Sequence, residues 1–378
     1  MTAYQVCTRC VMDTSDPEIT FDDAGVCSHC HAFDRTMRAE LESAQAGRLE
    51  PALDALIETM KAEGRGKPYD AIMGLSGGVD SSYIAWLVGQ KGLRVLAVHC
   101  DSGWNSELAV ANIENIVKKI GFDLYTEVID WEEMRDLQLA FFRAGLANCD
   151  IPQDHAFMAV LYKVAKKHGI RHILSGSNLS TESILPLSWG YNALDLRHLR
   201  AVHKRFGRVK LKTFPVLPMW KRYILYPFFH GMRFVRVLNY VPYYKDRAKK
   251  LIADELGWRD YGGKHYESIF TKFFQSYYLP VKFGFDKRRA HYASLIVSNQ
   301  MTRDQALAQL QQLSYDPATI EGDKEFVAKK MGVSAAEFDA IMESPPHSYR
   351  DYPSNEGLFE FKDWVMKSLV RKRVRRGV

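Results

Sequence analysis

Long apolar runs are missing from this chain of 378 residues. With no stretch of about 18 uncharged apolar residues, a membrane-spanning helix is not expected. The opening MTAYQVCTRC has no apolar core of the kind a secretory signal needs, so a cytoplasmic location is expected. Internal repeats and low-complexity segments are absent. Acidic residues are missing locally: positions 197–212 hold seven Arg or Lys and no Asp or Glu, and the chain ends in the basic run RKRVRRGV. Such runs are solvated faces, or surfaces that steer an anionic substrate or nucleic acid. What is present, 47% hydrophobic and 25% charged residues, is the composition of a soluble globular protein. At roughly 100–200 residues per domain, two or three domains are expected.

Cysteine is scarce but concentrated. Of six cysteines, four form CTRC and CSHC, a C-x2-C-x16-C-x2-C array with the spacing of a four-thiolate zinc site. Disulfides are disfavoured in a reducing cytosol, so Cys7, Cys10, Cys27 and Cys30 are read as zinc ligands. Four thiolates close a tetrahedron and leave no position for water, which makes the zinc structural. His29 and His31, beside the second pair, are expected outside the coordination sphere.

Beyond the knuckle, apolar and amphipathic segments alternate. Strands are predicted at 69–75, 94–100, 124–129 and 172–174, and helices at 81–91, 105–121, 131–143 and 155–168. Alternating strands and helices predict an α/β fold, a doubly wound parallel sheet over residues 67–205. A zinc knuckle and helical segment precede it (1–66), and a mostly helical substrate- or partner-binding region follows (206–378). Ligands of such sheets lie beyond the carboxyl ends of the strands, where the loops SGGVDSS, CDSGWN and GSNLSTE are expected to converge. The aromatic stretch 223–232, YILYPFFHGM, reads as packed core, with a channel wall or partner surface as the other reading. KDRAKKLIADELGW, 245–258, reads as an amphipathic helix, and Thr302/Gln305 and Ser334/Glu337 as capping boxes.

The loop at 76–82 carries the chemistry. Gly77 and Gly78 let the backbone wrap an anion, and the hydroxyls of Ser76, Ser81 and Ser82 and the free amides of a helix start face it. No G-K-[ST] follows, so this is not a loop built for γ-phosphoryl transfer. Instead the helix opens with Asp80, which would repel phosphate unless a cation bridged the two. Asp80 is therefore read as a Mg2+ ligand in a pyrophosphate cradle.

SGGVDSS resembles the PP-loop of the N-type ATP pyrophosphatases, which cleave ATP between the α and β phosphates to activate a carbonyl oxygen as an adenylate. The segments CTRCVMDTSDPEITFDDAGVCSHC, NCDIPQDHAF, GSNLSTES and HYESIFTKFFQSYYLPVKFGFDKRRAHYASLI extend the likeness over most of residues 1–300. Together they resemble the N-acetyl sugar amidotransferase family of bacterial surface-polysaccharide (lipopolysaccharide O-antigen) synthesis. The resemblance implies conversion of the acetamido group of a nucleotide-activated sugar, such as a UDP-diacetamido-uronic acid, to an acetamidino group. It implies ATP and Mg2+ as well, and ammonia from a separate glutaminase subunit, with a barrel protein as a channelling partner. No glutaminase signature surrounds Cys100 or Cys149, which are read as small buried residues.

Several residues are candidates within that frame. Asp101 follows the second strand, where a ribose or nucleotide edge would lie, though a turn aspartate would look the same. Gly176 and Asn178 follow the fourth strand as nucleotide-binding candidates, and Thr181 and Glu182 as substrate contacts, against turn chemistry alone. Asp154, Tyr266, Glu267 and Lys287 are further substrate candidates. Lys282, flanked by apolar residues, and His155 are candidate catalytic groups, with His291 and His265 as further acid–base candidates. The rival reading is a PP-loop tRNA-modifying enzyme, which the knuckle and the basic segments would suit.

Overall fold

A computed structural model describes residues 3–262 and 267–375. Its centre is a five-stranded sheet: β1 (Ala71–Gly74), β2 (Val95–Asp101), β3 (Asp123–Val128), β4 (His172–Ser175) and β5 (Arg233–Arg236). The order is β3-β2-β1-β4-β5, and every pairing is parallel. Ala71 lies opposite Val95 on one side and His172 on the other, so the direction of winding reverses at β1.

Alternation along the strands builds two cores. Ile72, Leu96, Val98 and Ile173 point to one face and pack with Leu137 and Val160, from helices Trp131–Arg143 and Ile151–Lys167. Ala71, Met73, Val95, Ala97 and Leu174 point to the other. They pack with Ile84, Ile113 and Ile252, from helices Val79–Gln90, Glu107–Ile120 and Lys245–Leu256. A period of two with both faces covered explains why the inner strands read as near-continuous apolar runs. The doubly wound parallel sheet is as the sequence predicts.

A strand the sequence does not reveal lies beyond residue 206. Arg233–Arg236 pairs with β4 as an edge strand and buries only Val235, so it carries no apolar run. The stretch 223–232 also departs from its core reading. Residues 223–229 of it lie in a π-helix, Lys221–Phe229, in which only Tyr226 is buried, stacked 5.1 Å from Tyr162; Met232 is buried in the core as well, while Ile224, Phe228 and Phe229 face solvent. Thr302 and Gln305 form the reciprocal capping box, and the Ser334 side chain accepts from the Glu337 amide.

A third core joins the N-terminal knuckle to the helices Lys287–Val297 and Arg303–Leu310 through Ala290, Ala293, Val297 and Ala306. Arg303 donates from Nε to the carbonyls of Cys7 (3.1 Å) and Cys10 (3.0 Å), and Arg289 donates to that of Val11 (2.8 Å). No described helix is long and apolar enough to cross a membrane.

Candidate active site

The loop after β1 begins with Leu75, whose amide extends the ladder to the Val98 carbonyl (2.8 Å). Gly77 turns it at φ +79°, and a Cβ there would come within 2.8 Å of the Ala109 carbonyl oxygen, so only glycine fits. The Gly77 carbonyl accepts from the indole Nε1 of Trp258 (2.7 Å) and from the hydroxyl of Tyr261. Gly78 is the N-cap of helix Val79–Gln90, and Ser82 donates back to its carbonyl at 2.7 Å. Asp80 stands in the first turn and accepts from the Tyr243 hydroxyl. A Cβ on Gly176 would already touch Asp80 at 3.4 Å, so the loop after β4 closes directly on the phosphate loop.

These loops wall a cavity of about 630 Å³ at the carboxyl ends of β1, β2 and β4. Ser76, Gly78, Asp80 and Ser81 come from the first loop and the helix start, His99 and Cys100 from the end of β2, Asn105 from the loop after it, and Gly176 and Glu182 from the third. Five carboxylates line it (Asp80, Asp150, Asp154, Glu182, Glu267) against three ammonium groups (Lys245, Lys249, Lys287). Such a surplus of negative charge receives a polyphosphate only with a divalent cation between them, and the hard oxygen donors beside Ser76 and Ser81 suit Mg2+.

Of the candidates, Ser76, Gly78, Asp80, Ser81, Gly176, Asp154, Glu182, Glu267 and Lys287 meet at this cavity. Gly77 and Ser82 support its floor from behind. Asp101 stays in its own turn, accepting from the Gly103 amide (2.8 Å) and Asn105 Nδ2 (3.0 Å). Asn178 caps the short helix that follows, accepting from the Thr181 amide at 2.9 Å, and Thr181 is buried behind it. Tyr266 and His265 lie outside the described residues.

Two candidates for catalysis are not at the cavity wall, and the structure corrects both. Lys282 Nζ donates to the carbonyls of Ile341 and Ser344 at 2.6 Å each and to Met342 at 3.2 Å, neutralising the C-terminal end of helix Ala335–Glu343. The lysine whose apolar flanks suggested function caps a helix instead. His155 is fully buried, its Nδ1 2.8 Å from the Ala193 carbonyl and its Nε2 accepting from the Leu217 amide at 3.0 Å. Burial holds its pKa below the usual value, so it serves as a neutral tie between segments.

The lysine–arginine run divides three ways. Lys287 faces the cavity, Arg288 binds Asp286, and Arg289 binds Asp13 in the knuckle. Residues not foreseen include Asp150, Lys245 and Lys249, and the aromatic braces Tyr243, Trp258 and Tyr261. The last five lie in or beside a segment whose only sequence signal was amphipathic periodicity. Cys100 is at the wall, but burial and the nearby Glu127 and Asp101 charges push its thiol up to about 12.

In the knuckle, all four cysteines are fully buried and their sulfurs lie within 4.8 Å of one another. Cys7 and Cys30 Sγ are 4.0 Å apart, and Cys10 and Cys27 Sγ are 3.7 Å apart. Sulfurs about 2.3 Å from a tetrahedral zinc would stand about 3.8 Å apart, so the set fits that ion. Backbone amides of Cys10 and Cys27 point at Cys7 Sγ, each at 3.3 Å, and favour its thiolate. His29 and His31 bind Asp16 (2.6 Å) and Asp22 (2.8 Å) instead of the cluster.

A parallel sheet with its winding reversal at β1, and a glycine-serine-aspartate loop opening a helix there, have the arrangement of a PP-loop fold. Residues 52–218 match the NAD synthase family, and residues 267–369 match the C-terminal domain of WbpG-like LPS biosynthesis proteins. The chain is thus similar to NAD synthases over its sheet and to WbpG-like proteins over its C-terminal region. No curated protein matches it. Among solved structures it is similar to an NMN synthetase from Francisella tularensis, with 17% identity over 38% of this chain and 59% of that one and a TM-score of 0.29. It is also similar to an NH3-dependent NAD synthetase from Campylobacter jejuni, with 16% identity over 42% and 72% and a TM-score of 0.30. The matched region spans less than two thirds of the NMN synthetase.

Proposed function

We propose that the chain is an ATP-dependent amidotransferase that converts the acetamido group of a nucleotide-activated N-acetyl sugar to an acetamidino group, in bacterial surface-polysaccharide synthesis. The observation that carries the reading is the phosphate loop at 76–82, with Asp80 at the helix start facing a carboxylate-rich cavity, in a chain whose C-terminal domain is WbpG-like. An amide is a poor electrophile because its nitrogen quenches the carbonyl carbon. In the first half-reaction the amide oxygen attacks the α-phosphorus of ATP, the bond to the β-phosphate breaks, and pyrophosphate leaves. The product is an imidate carrying AMP on oxygen. Ammonia adds to the imidate carbon, AMP leaves with that oxygen, and the amidinium remains.

Within this scheme the residues have separate tasks. Ser76, Gly78 and Ser81 cradle the β and γ phosphates at the positive end of the helix. Asp80, with Glu182 or Glu267, would hold Mg2+, which supplies charge neutralisation at the phosphates. Lys245, Lys249 and Lys287 add positive charge where the leaving groups depart. Phe157, Met158 and Leu161 form an apolar wall that keeps water from the imidate. The chain would take ammonia from a separate glutaminase subunit. The rival RNA-thiolation reading needs a thiolate near the adenylate, and burial and the Glu127 and Asp101 charges keep the Cys100 thiol protonated.

The test is incubation with ATP, Mg2+, ammonium and a UDP-diacetamido-uronic acid. AMP, pyrophosphate and a sugar lighter by about one mass unit (oxygen replaced by NH) are expected. ADP as product, or an unchanged sugar mass beside normal ATP turnover, would sink the proposal.

A further inference from the structure

We infer that the chain docks peripherally on an anionic lipid bilayer through the π-helix Lys221–Phe229 and the adjoining helix Glu356–Arg375. Phe228 and Phe229 are 79% and 75% exposed, and Trp220 and Ile224 are each 55% exposed. On the second helix Leu358, Phe361 and Trp364, at successive spacings of three, are 55%, 62% and 64% exposed. Single exposed apolar residues are ordinary, but seven large ones on two adjoining elements are not. The elements touch: the Tyr223 ring lies 6.2 Å from that of Phe359, and Lys362 Nζ lies 4.6 Å from the centre of the Tyr223 ring.

Along the chain, the charge flanking the π-helix is of one sign. From 196 to 245 the chain holds twelve Lys or Arg and no acid. Lys204, Arg205, Arg208, Lys210 and Lys212 are exposed. Lys221 lies against the Trp220 ring, and Arg222 lies over Tyr223 and Phe234. On the second helix Glu356 is bound by Arg350 and Asp363 by Lys362; among the described side chains Glu360 is the remaining acid there.

Lipid suits this surface better than a protein partner. Protein interfaces are depleted in lysine, whereas this region combines exposed lysines with protruding Trp, Phe, Ile and Leu. Those are the two components of interfacial adsorption: apolar side chains entering the headgroup boundary, and cations attracted to an anionic surface. With no described helix able to cross a bilayer, the chain would lie on it. Phe234 and Leu185 line the cavity mouth, and Arg222 lies 5.5 Å over the Phe234 ring, so the docking surface runs into the rim of the active cavity.

The test is sedimentation of the full chain with vesicles of phosphatidylcholine alone or with about one third phosphatidylglycerol. Binding about tenfold tighter to the anionic vesicles, reduced by high salt, is expected. The double variant Phe228→Ser/Phe229→Ser should lower binding about tenfold with an unchanged melting temperature. Lys210→Gln/Lys212→Gln should lower it a few-fold, at low salt only. Equal recovery with neutral and anionic vesicles would overturn the inference. So would full vesicle binding by the Phe228/Phe229 variant. A dimer that this variant converts to monomer, or RNA binding that it abolishes while vesicles fail to bind, would overturn it by assigning the surface to another occupant.

Discussion

Asp80 concentrates the residue-scale argument. Its carboxylate sits where phosphate is expected and accepts from the buried Tyr243 hydroxyl, which burial and the Asp80 charge keep protonated well above the usual phenol range. Asp80→Asn keeps that hydrogen bond but removes the charge that would hold a cation. We expect pyrophosphate–ATP exchange to fall by about a hundredfold or more with little change in melting temperature, since a metal contributes several kcal/mol to such a step. Exchange within threefold of the parent would remove Asp80 from metal binding. Cys100 makes the opposite case. With its thiol pushed up to about 12, it should resist iodoacetamide at neutral pH, and Cys100→Ala should retain at least half of the activity. Rapid alkylation with loss of turnover would revive a thiolate mechanism. The phosphate loop was legible because backbone freedom, hydroxyls and a carboxylate were contiguous in sequence. Lys245, Lys249, Trp258 and Tyr261 were not, because nothing local marks side chains that reach the loop from a distant segment, as Trp258 and Tyr261 do across 181 and 184 residues.

At the scale of elements, two long-range braces stand out. Lys282 closes the end of helix Ala335–Glu343 through three carbonyls, and Lys282→Met strips those bonds. A loss of about 1.5–3 kcal/mol in unfolding free energy is expected, with kcat and KM within twofold. A large fall in kcat at unchanged stability would restore the lysine to the active site. The zinc knuckle is bonded to the helices Lys287–Val297 and Arg303–Leu310 through Arg289 and Arg303. Chelation should therefore speed amide hydrogen exchange in those helices as well as in residues 3–36, and lower the melting temperature. Exchange confined to the knuckle would show that the brace is not structural. The array of four cysteines was readable from spacing alone, whereas its attachment to the C-terminal region depends on two arginines whose roles appear only when distant segments meet.

The whole molecule carries several buried neutral imidazoles. Burial lowers the pKa of His99, His155, His172 and His198, the last to about 4. In the unfolded chain these groups protonate near pH 6.5, so below that pH the unfolded state binds more protons and stability falls as pH drops. For His198 the window runs from about 6.5 down to about 4 and is worth on the order of 3 kcal/mol. His198 packs edge-on against Phe141, Tyr191 and Tyr352, so His198→Phe should flatten the dependence of the urea midpoint on pH across that window. An unchanged slope would place the sensitivity elsewhere. The sequence by itself determined what depends on neighbours along the chain: the apolar alternation of the parallel sheet, the turn at Gly77 and Gly78, and the paired thiols. Only the tertiary structure decided the rest. It placed β5 on the sheet edge, turned Ile224, Phe228 and Phe229 outward, took Lys282 and His155 away from the cavity wall, and gathered five carboxylates around the phosphate loop. Those outcomes depend on burial and on distances between segments far apart in the chain, which local residue patterns do not encode.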